Sequence, residues 1–133
     1  MTNLYSTTTE DVIVYAEPEY LETESSSQDS IYVWLYHIRI ENKSNQAIQV
    51  LNRYWHITDG KGLVQEVEGS GVVGLQPIIE PEQDFEYTSS VSLSTPTGMM
   101  HGYYEVKTGD GKLMQVIIPL FSLDSVEQLR MPN

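Results

Sequence analysis

A chain of 133 residues with seven Lys and Arg against nineteen Asp and Glu has a formal charge of −12 at pH 7, and it holds no cysteine. That charge repels phosphate backbones and anionic lipid surfaces. The bases Arg39, Lys43, Arg53, Lys61, Lys107, Lys112 and Arg130 stand singly, not in the clustered face with stacking aromatics that nucleic acid requires. The lack of cysteine excludes disulfides, thiolate nucleophiles and thiolate zinc sites together, and fits a reducing compartment.

The length suits one domain, expected over residues 1–133 with its core at about 12–123 and polar ends. Residues 1–11 are polar and Thr-rich, without a basic stretch followed by an apolar one, and no apolar run is long enough to span a bilayer. The expectation is a cytoplasmic protein with no membrane contact.

Residues 12–15 form a short β-branched run, after which Glu17, Glu19, Glu22 and Glu24 lead into a loop at Ser25, Ser26 and Ser27. Residues 31–41 place Tyr32, Trp34, Tyr36, Ile38 and Ile40 on one face of a two-residue period. Their other face begins apolar and turns polar at His37 and Arg39, as a central strand leaving cover would. A turn at residues 42–45 precedes a strand over 46–58, with Ile48 and Val50 on one face and Ala47, Leu51, Trp55 and Ile57 on the other. Asp59 and Gly60 signal a turn. A strand over 63–67 then runs into a glycine-rich loop at 69–74, followed by Pro77 and Pro81. Phe85, Tyr87, Ser89, Val91 and Leu93 alternate with polar residues, the mark of a sheet with one wet face. A closing hairpin pairs 99–107 with 113–120 across Thr108, Gly109, Asp110 and Gly111. Short punctuated strands without a 3.6-residue period predict an all-β antiparallel sandwich or barrel, and residues 124–133 a loosely held tail.

Four blocks carry a family resemblance. They are VEGSGVVGLQP at 67–77; Arg53, Tyr54 and Trp55 ahead of the Asp59 turn; Tyr87, Thr88 and Ser89; and TPTGMMHGYY at 95–104. In order and spacing, over about residues 12–123, the chain resembles the bacterial ApaG (CorD) family. The resemblance implies an immunoglobulin-like or fibronectin-III-like β-sandwich, a bacterial cytoplasmic protein, and a loose association with divalent-cation (Co/Mg) homeostasis. It implies no established catalytic activity. Similar domains appended to larger eukaryotic proteins point to a protein-binding module. The charged tail after Leu123 departs from the family pattern.

Gly69, Gly71 and Gly74 spell GxGxxG, which in dinucleotide-binding folds lets backbone approach a pyrophosphate. Here the flanks are β and prolines follow, so a bulge or tight loop is the plainer reading, with an anion nest as the functional one. His37, His56 and His101 lie at no metal-ligand spacing, and Glu17, Glu19, Glu22 and Glu24 read as a solvated loop. Ser70 between glycines is only a fragment of a nucleophile elbow, and its pairing with His101 would be a guess. Arg53 and Tyr54 are residue types enriched among interface anchors, while Trp34 and Trp55 read as core. The partner- or ligand-binding candidates are therefore Gly69, Ser70, Gly71, Gly74, Arg53 and Tyr54, with Tyr103 beside them. No catalytic residue, metal ligand or cofactor is expected. The favoured reading is a non-enzymatic module with an unidentified protein partner, as monomer or homodimer. The alternative is a sensor of nucleotide, pyrophosphate or divalent cation at the glycine loop. An enzyme has support only from family members encoded beside a dinucleotide hydrolase.

Overall fold

The alternation in residues 31–41 is that of a strand buried on one side, and the computed structural model, which describes residues 4–125, makes it the inner strand of a sheet. This strand, β3 (Tyr32–Asn42), buries every second side chain from Tyr32 to Asn42. It lies between β2 (Val12–Tyr20) and β7 (Asp84–Leu93), with β1 (Tyr5–Thr9) outside β2, in the order β1-β2-β3-β7. The second sheet runs β5 (Val64–Ser70), β4 (Ile48–Asp59), β8 (Thr97–Thr108), β9 (Leu113–Asp124), and the short β6 (Ile78–Ile79) also pairs with β4. All pairings are antiparallel. Among the described residues the only helical turn is a 3-10 turn at Glu22–Glu24. The result is an antiparallel two-sheet β-sandwich, compatible with the immunoglobulin-like arrangement that the resemblance implies.

The core lies between the sheets and is aromatic at its centre. Trp34, Tyr104 and Phe121 are fully buried, and Phe121 meets the rings of Tyr5, Tyr36 and Trp55 at centroid distances of 6.0–6.3 Å. Two bulges bring the side chains into phase. The expectation that Ile48 and Val50 face away from Trp55 and Ile57 assumes unbroken alternation, yet all four are buried. Leu51 is an extra residue: Val50 pairs with Val106 and Asn52 with Glu105, so the strand changes phase between them. Likewise β9 sets Pro119 and Leu120 opposite the single His101, which returns Phe121 to the core opposite Met100.

Other differences from the sequence expectations have local causes. The amino-terminal segment is not merely polar: Thr7, Thr8 and Thr9 pair with Val14, Ile13 and Val12. The turn residues Glu10 and Asp11 both adopt left-handed backbone (φ 43° and 68°), the geometry of a tight hairpin turn built without glycine. β2 also continues through Glu17 and Glu19 to Tyr20, so those carboxylates lie on a strand and not in a loop. At the other end, the Asp124 carbonyl accepts the Trp34 indole N–H at 3.0 Å, and Ser125 N–H donates to the Pro96 carbonyl. The start of the expected tail is therefore held; residues 126–133 lie outside the described part. One flank of the sandwich is closed, because Thr7 Oγ1 donates to the Ile117 carbonyl and Ile117 N–H donates to Thr9 Oγ1. The edges of β5 and β7 form the opposite flank.

Tyr87 of one sheet and Tyr104 of the other meet in the core, hydroxyl to hydroxyl at 2.5 Å. Burial is the main cause that pushes both phenols above their ordinary value. Tyr87→Phe strands the Tyr104 hydroxyl, and the expected loss in urea unfolding is about 1–3 kcal/mol. The double variant Tyr87→Phe/Tyr104→Phe loses less than the two single variants summed, since it orphans nothing. An unfolded phenol ionises near about pH 10 while the folded pair keeps its protons, so the unfolded state binds fewer protons and stability falls as pH rises past that value. The double variant must show a shallower alkaline decline; an unchanged one would mean the pair does not titrate as described.

Candidate functional site

The structure brings Arg53 together with the glycine segment, but as a structural clasp. Gly69 and Ser70 belong to β5, where Gly69 pairs with Arg53 and Ser70 with Asn52. Arg53 lies on the inward face with Trp55 and is half-buried, not displayed beside Tyr54 as expected from its residue type. Its Nη1 donates to the carbonyls of Ser70 and Gly71, both at 3.1 Å. A Cβ on Gly69 would stand 2.7–2.8 Å from the guanidinium, so glycine makes room for the arginine. Gly71 has φ +62°, and a Cβ there would come within 2.0 Å of the Leu75 carbonyl oxygen. Its own N–H donates to Leu51 O, while Val72 and Leu75 exchange backbone hydrogen bonds around a turn whose corners are Val73 and Gly74. These glycines thus close a hairpin. Several amides that an anion nest would need are already donating within it.

The other family-like blocks are likewise occupied with structure. Thr95 Oγ1 accepts from Gly60 N–H and donates to the Thr97 carbonyl, tying two turns together. Trp55, Tyr87, Met100 and Tyr104 are core.

His37 makes the most catalytic-looking contacts, with Nδ1 2.8 Å from Thr88 Oγ1 and Nε2 2.9 Å from Glu19 Oε1. All three lie on the solvent side of regular strands, and backbone N–H groups inside such ladders are committed to pairing instead of converging on an oxyanion. Nearby, Arg39 bonds Asp84 and Glu41, and Lys43 bonds Glu82, so both bases at the first sheet's outer face are paired, while Glu17 and Glu86 on the same face form no ion pair among the described residues. Ser70 and His101 are two cross-strand rows apart. His101 instead stacks on His56 (centroids 4.6 Å, 24° between planes), and His56 Nδ1 is buried without a hydrogen-bond partner. No group of three or more His, Asp or Glu side chains arranged to hold a metal occurs among the described residues.

The outer face of the second sheet is different. An antiparallel sheet is expected to turn polar residues to water, but here Val64, Met99, Ile117 and Leu120 are 43–53% exposed. Register places three rows side by side: Glu66–His56–His101, Glu68–Tyr54–Tyr103–Ile117, and Ser70–Asn52–Glu105–Gln115. Tyr54 and Tyr103 stack at 5.0 Å with 28° between their planes, and the Tyr54 hydroxyl donates to Glu66 at 3.2 Å. Desolvation first, and then that bond, raise the Tyr54 phenol above its ordinary value. The stack divides two shallow hollows. One, of about 410 Å³, is apolar and is lined by His101, Ile117 and Leu120; the other, of about 440 Å³, is lined by Asn52, Arg53, Glu68, Ser70 and Glu105. Sequence reading reached Tyr54 and Tyr103 but not Ile117 or Leu120. The available signal was that apolar residues occupy both faces of residues 113–120.

An antiparallel two-sheet sandwich with one charged, mainly acidic outer face and one aromatic, apolar outer face is the class of protein this structure defines. The ApaG domain model matches residues 22–108, and the chain belongs to that family. It is similar to a Protein ApaG from Allorhizobium ampelinum, 48% identical over 130 residues that cover 98% of this chain and 100% of the relative. A Protein ApaG from Parvibaculum lavamentivorans is 47% identical over 128 residues, 96% of this chain and 98% of the relative. Among solved structures, the putative ApaA protein from Bordetella pertussis superposes with a TM-score of 0.85 at 41% identity, covering 87% of this chain and 94% of that one. The C-terminal domain of wzt shares the fold alone, with a TM-score of 0.56 at 7% identity over 92% of this chain and 78% of that one.

Proposed function

We propose that this chain is a non-enzymatic, protein-binding module that seats its partner on the outer face of the β5-β4-β8-β9 sheet. The supporting observation is the contrast between faces: on the first, both bases are held in ion pairs among a larger set of carboxylates, while the second leaves large apolar and aromatic side chains in water. A contiguous exposed apolar patch on a small domain marks an interaction surface more often than chance placement does. The family's loose link with divalent cations then runs through the partner's activity. Sensing at the glycine loop is the weaker reading, because the loop amides and Arg53 are engaged in closing the hairpin.

A photo-crosslinking residue at position 120 in the bacterial cell should give an adduct of discrete mass, and the same residue at position 90, on the outer side of β7, should not. Equal labelling from both positions, or none from 120, would remove the reading. A thermal midpoint raised by ATP, pyrophosphate, Mg²⁺ or Co²⁺ would favour the sensor instead.

A further inference from the structure

The chemistry of the binding face narrows what can sit on it, given the protein-binding reading on which this step rests. Three carboxylates, Glu66, Glu68 and Glu105, flank the Tyr54–Tyr103 stack, and none forms an ion pair with a base among the described residues. Glu66 accepts the Tyr54 hydroxyl, and Glu105 accepts the Asn52 amide at 2.7 Å. Arg39 and Lys43 are tied to carboxylates at the first sheet, Arg53 reaches the wall of the polar hollow but is held by the Ser70 and Gly71 carbonyls and by no carboxylate, and Lys107 lies one row beyond Glu105, in register with Gln49. Carboxylates without an ion pair therefore stand beside an electron-rich aromatic wall, and the hollow beyond that wall is apolar.

We propose that the occupant is a basic, amphipathic segment of a partner protein: an apolar side chain fills the Ile117–Leu120 hollow, and an Arg or Lys crosses the Tyr54–Tyr103 rings to reach Glu68 and Glu105. A guanidinium over a tyrosine ring, ending on a carboxylate, gains from both contacts. Charge complementarity also excludes the simplest competitor. A second copy of this chain would bring the same three carboxylates onto themselves, and like charges brought together across an interface are costly.

The test is an anisotropy titration of a labelled hexapeptide of alternating arginine and leucine at about 0.15 M salt, where long-range attraction to the net charge is largely screened. Tyr103→Ala, which leaves the charge unchanged, and Glu68→Gln should each weaken binding at least about fivefold. Glu86→Gln, an equal change of charge on the other sheet, should weaken it less than about twofold. Thermal melts of all three variants establish that they are folded. Equal losses from Glu68→Gln and Glu86→Gln would reduce the effect to net charge and overturn the proposal. The absence of saturable binding would overturn it too, as would a dimer in sedimentation that Leu120→Glu dissociates. If the crosslink at position 120 stands while the peptide fails, the partner's chemistry is misassigned but the docking face survives; if both fail, the binding-module reading falls as well.

Discussion

Phe121→Ala is expected to cost about 3–5 kcal/mol of unfolding free energy, the upper range for a buried aromatic truncation. Phe121 is fully buried and is the one ring that touches aromatics from three strands: Tyr5 of β1, Tyr36 of β3 and Trp55 of β4. Removing it takes away the burial energy of the ring, and it also leaves a void walled by planar side chains that cannot flex to fill it. The neighbouring backbone offers little relief, because the β9 bulge that points Phe121 inward is fixed by Ile118–Gly102 pairing on one side and Phe121–Met100 pairing on the other. For a domain of this size the loss corresponds to a drop of roughly 10–20 °C in the thermal midpoint. Phe121→Leu keeps much of the volume and should lose less than about half as much. A loss from Phe121→Ala below about 1 kcal/mol would mean that the site collapses freely, and the packing described around the ring would be wrong.

How far such a core could be read from the sequence depended on whether alternation ran unbroken. β3 and β7 keep a strict two-residue period, so Trp34, Tyr36, Ile38 and Tyr87 were legible as core directly. In β4 the same rule divided the strand between two faces, because a bulge at Leu51 leaves no mark in residue types: nothing about Leu51 distinguishes it from a paired residue. β1 escaped notice for a related reason. Its turn uses Glu10 and Asp11 in left-handed backbone where glycine or asparagine would have announced a hairpin. The glycine motif failed as a guide in the opposite way, since its residues are demanded by backbone crowding at Leu75 and by the Arg53 guanidinium. The proposed binding face depends on neighbours across four strands, and only register brings Glu68, Tyr54, Tyr103 and Ile117 into one row. Single-strand periodicity carries no information about that row.

The same backbone crowding governs Gly102, where the second large effect is expected. Gly102 is buried in β8 between Met100 and Tyr104 and pairs with Trp55 and Ile118, so it lies mid-sheet with a strand on each side. A Cβ built on it would stand 1.9 Å from the Tyr54 carbonyl oxygen, 2.9 Å from that carbonyl carbon and 3.2 Å from Trp55 Cα. All three are backbone atoms, so no rotamer change relieves the contact, and β4 must move away from β8 along the longest ladder of the sheet. Gly102→Ala should therefore cost about 3 kcal/mol or more, at or beyond the usual limit of overpacking. Gly62→Ala provides the comparison. That glycine sits in a turn at φ +85° with nothing within 4 Å of its Cβ position, so alanine there meets only the left-handed strain, about 1–2 kcal/mol. Urea unfolding of the two variants separates a conformational penalty from a steric one. If Gly102→Ala proves too unstable to purify, the shorter step is to compare parent and Gly62→Ala with Gly102→Ala under a stabilising osmolyte, where the folded fraction recovers and its midpoint can be read. Equal losses at the two positions would refute the close approach of β4 to β8 at Tyr54, and with it the geometry that holds Tyr54 and Tyr103 in stacking distance on the outer face.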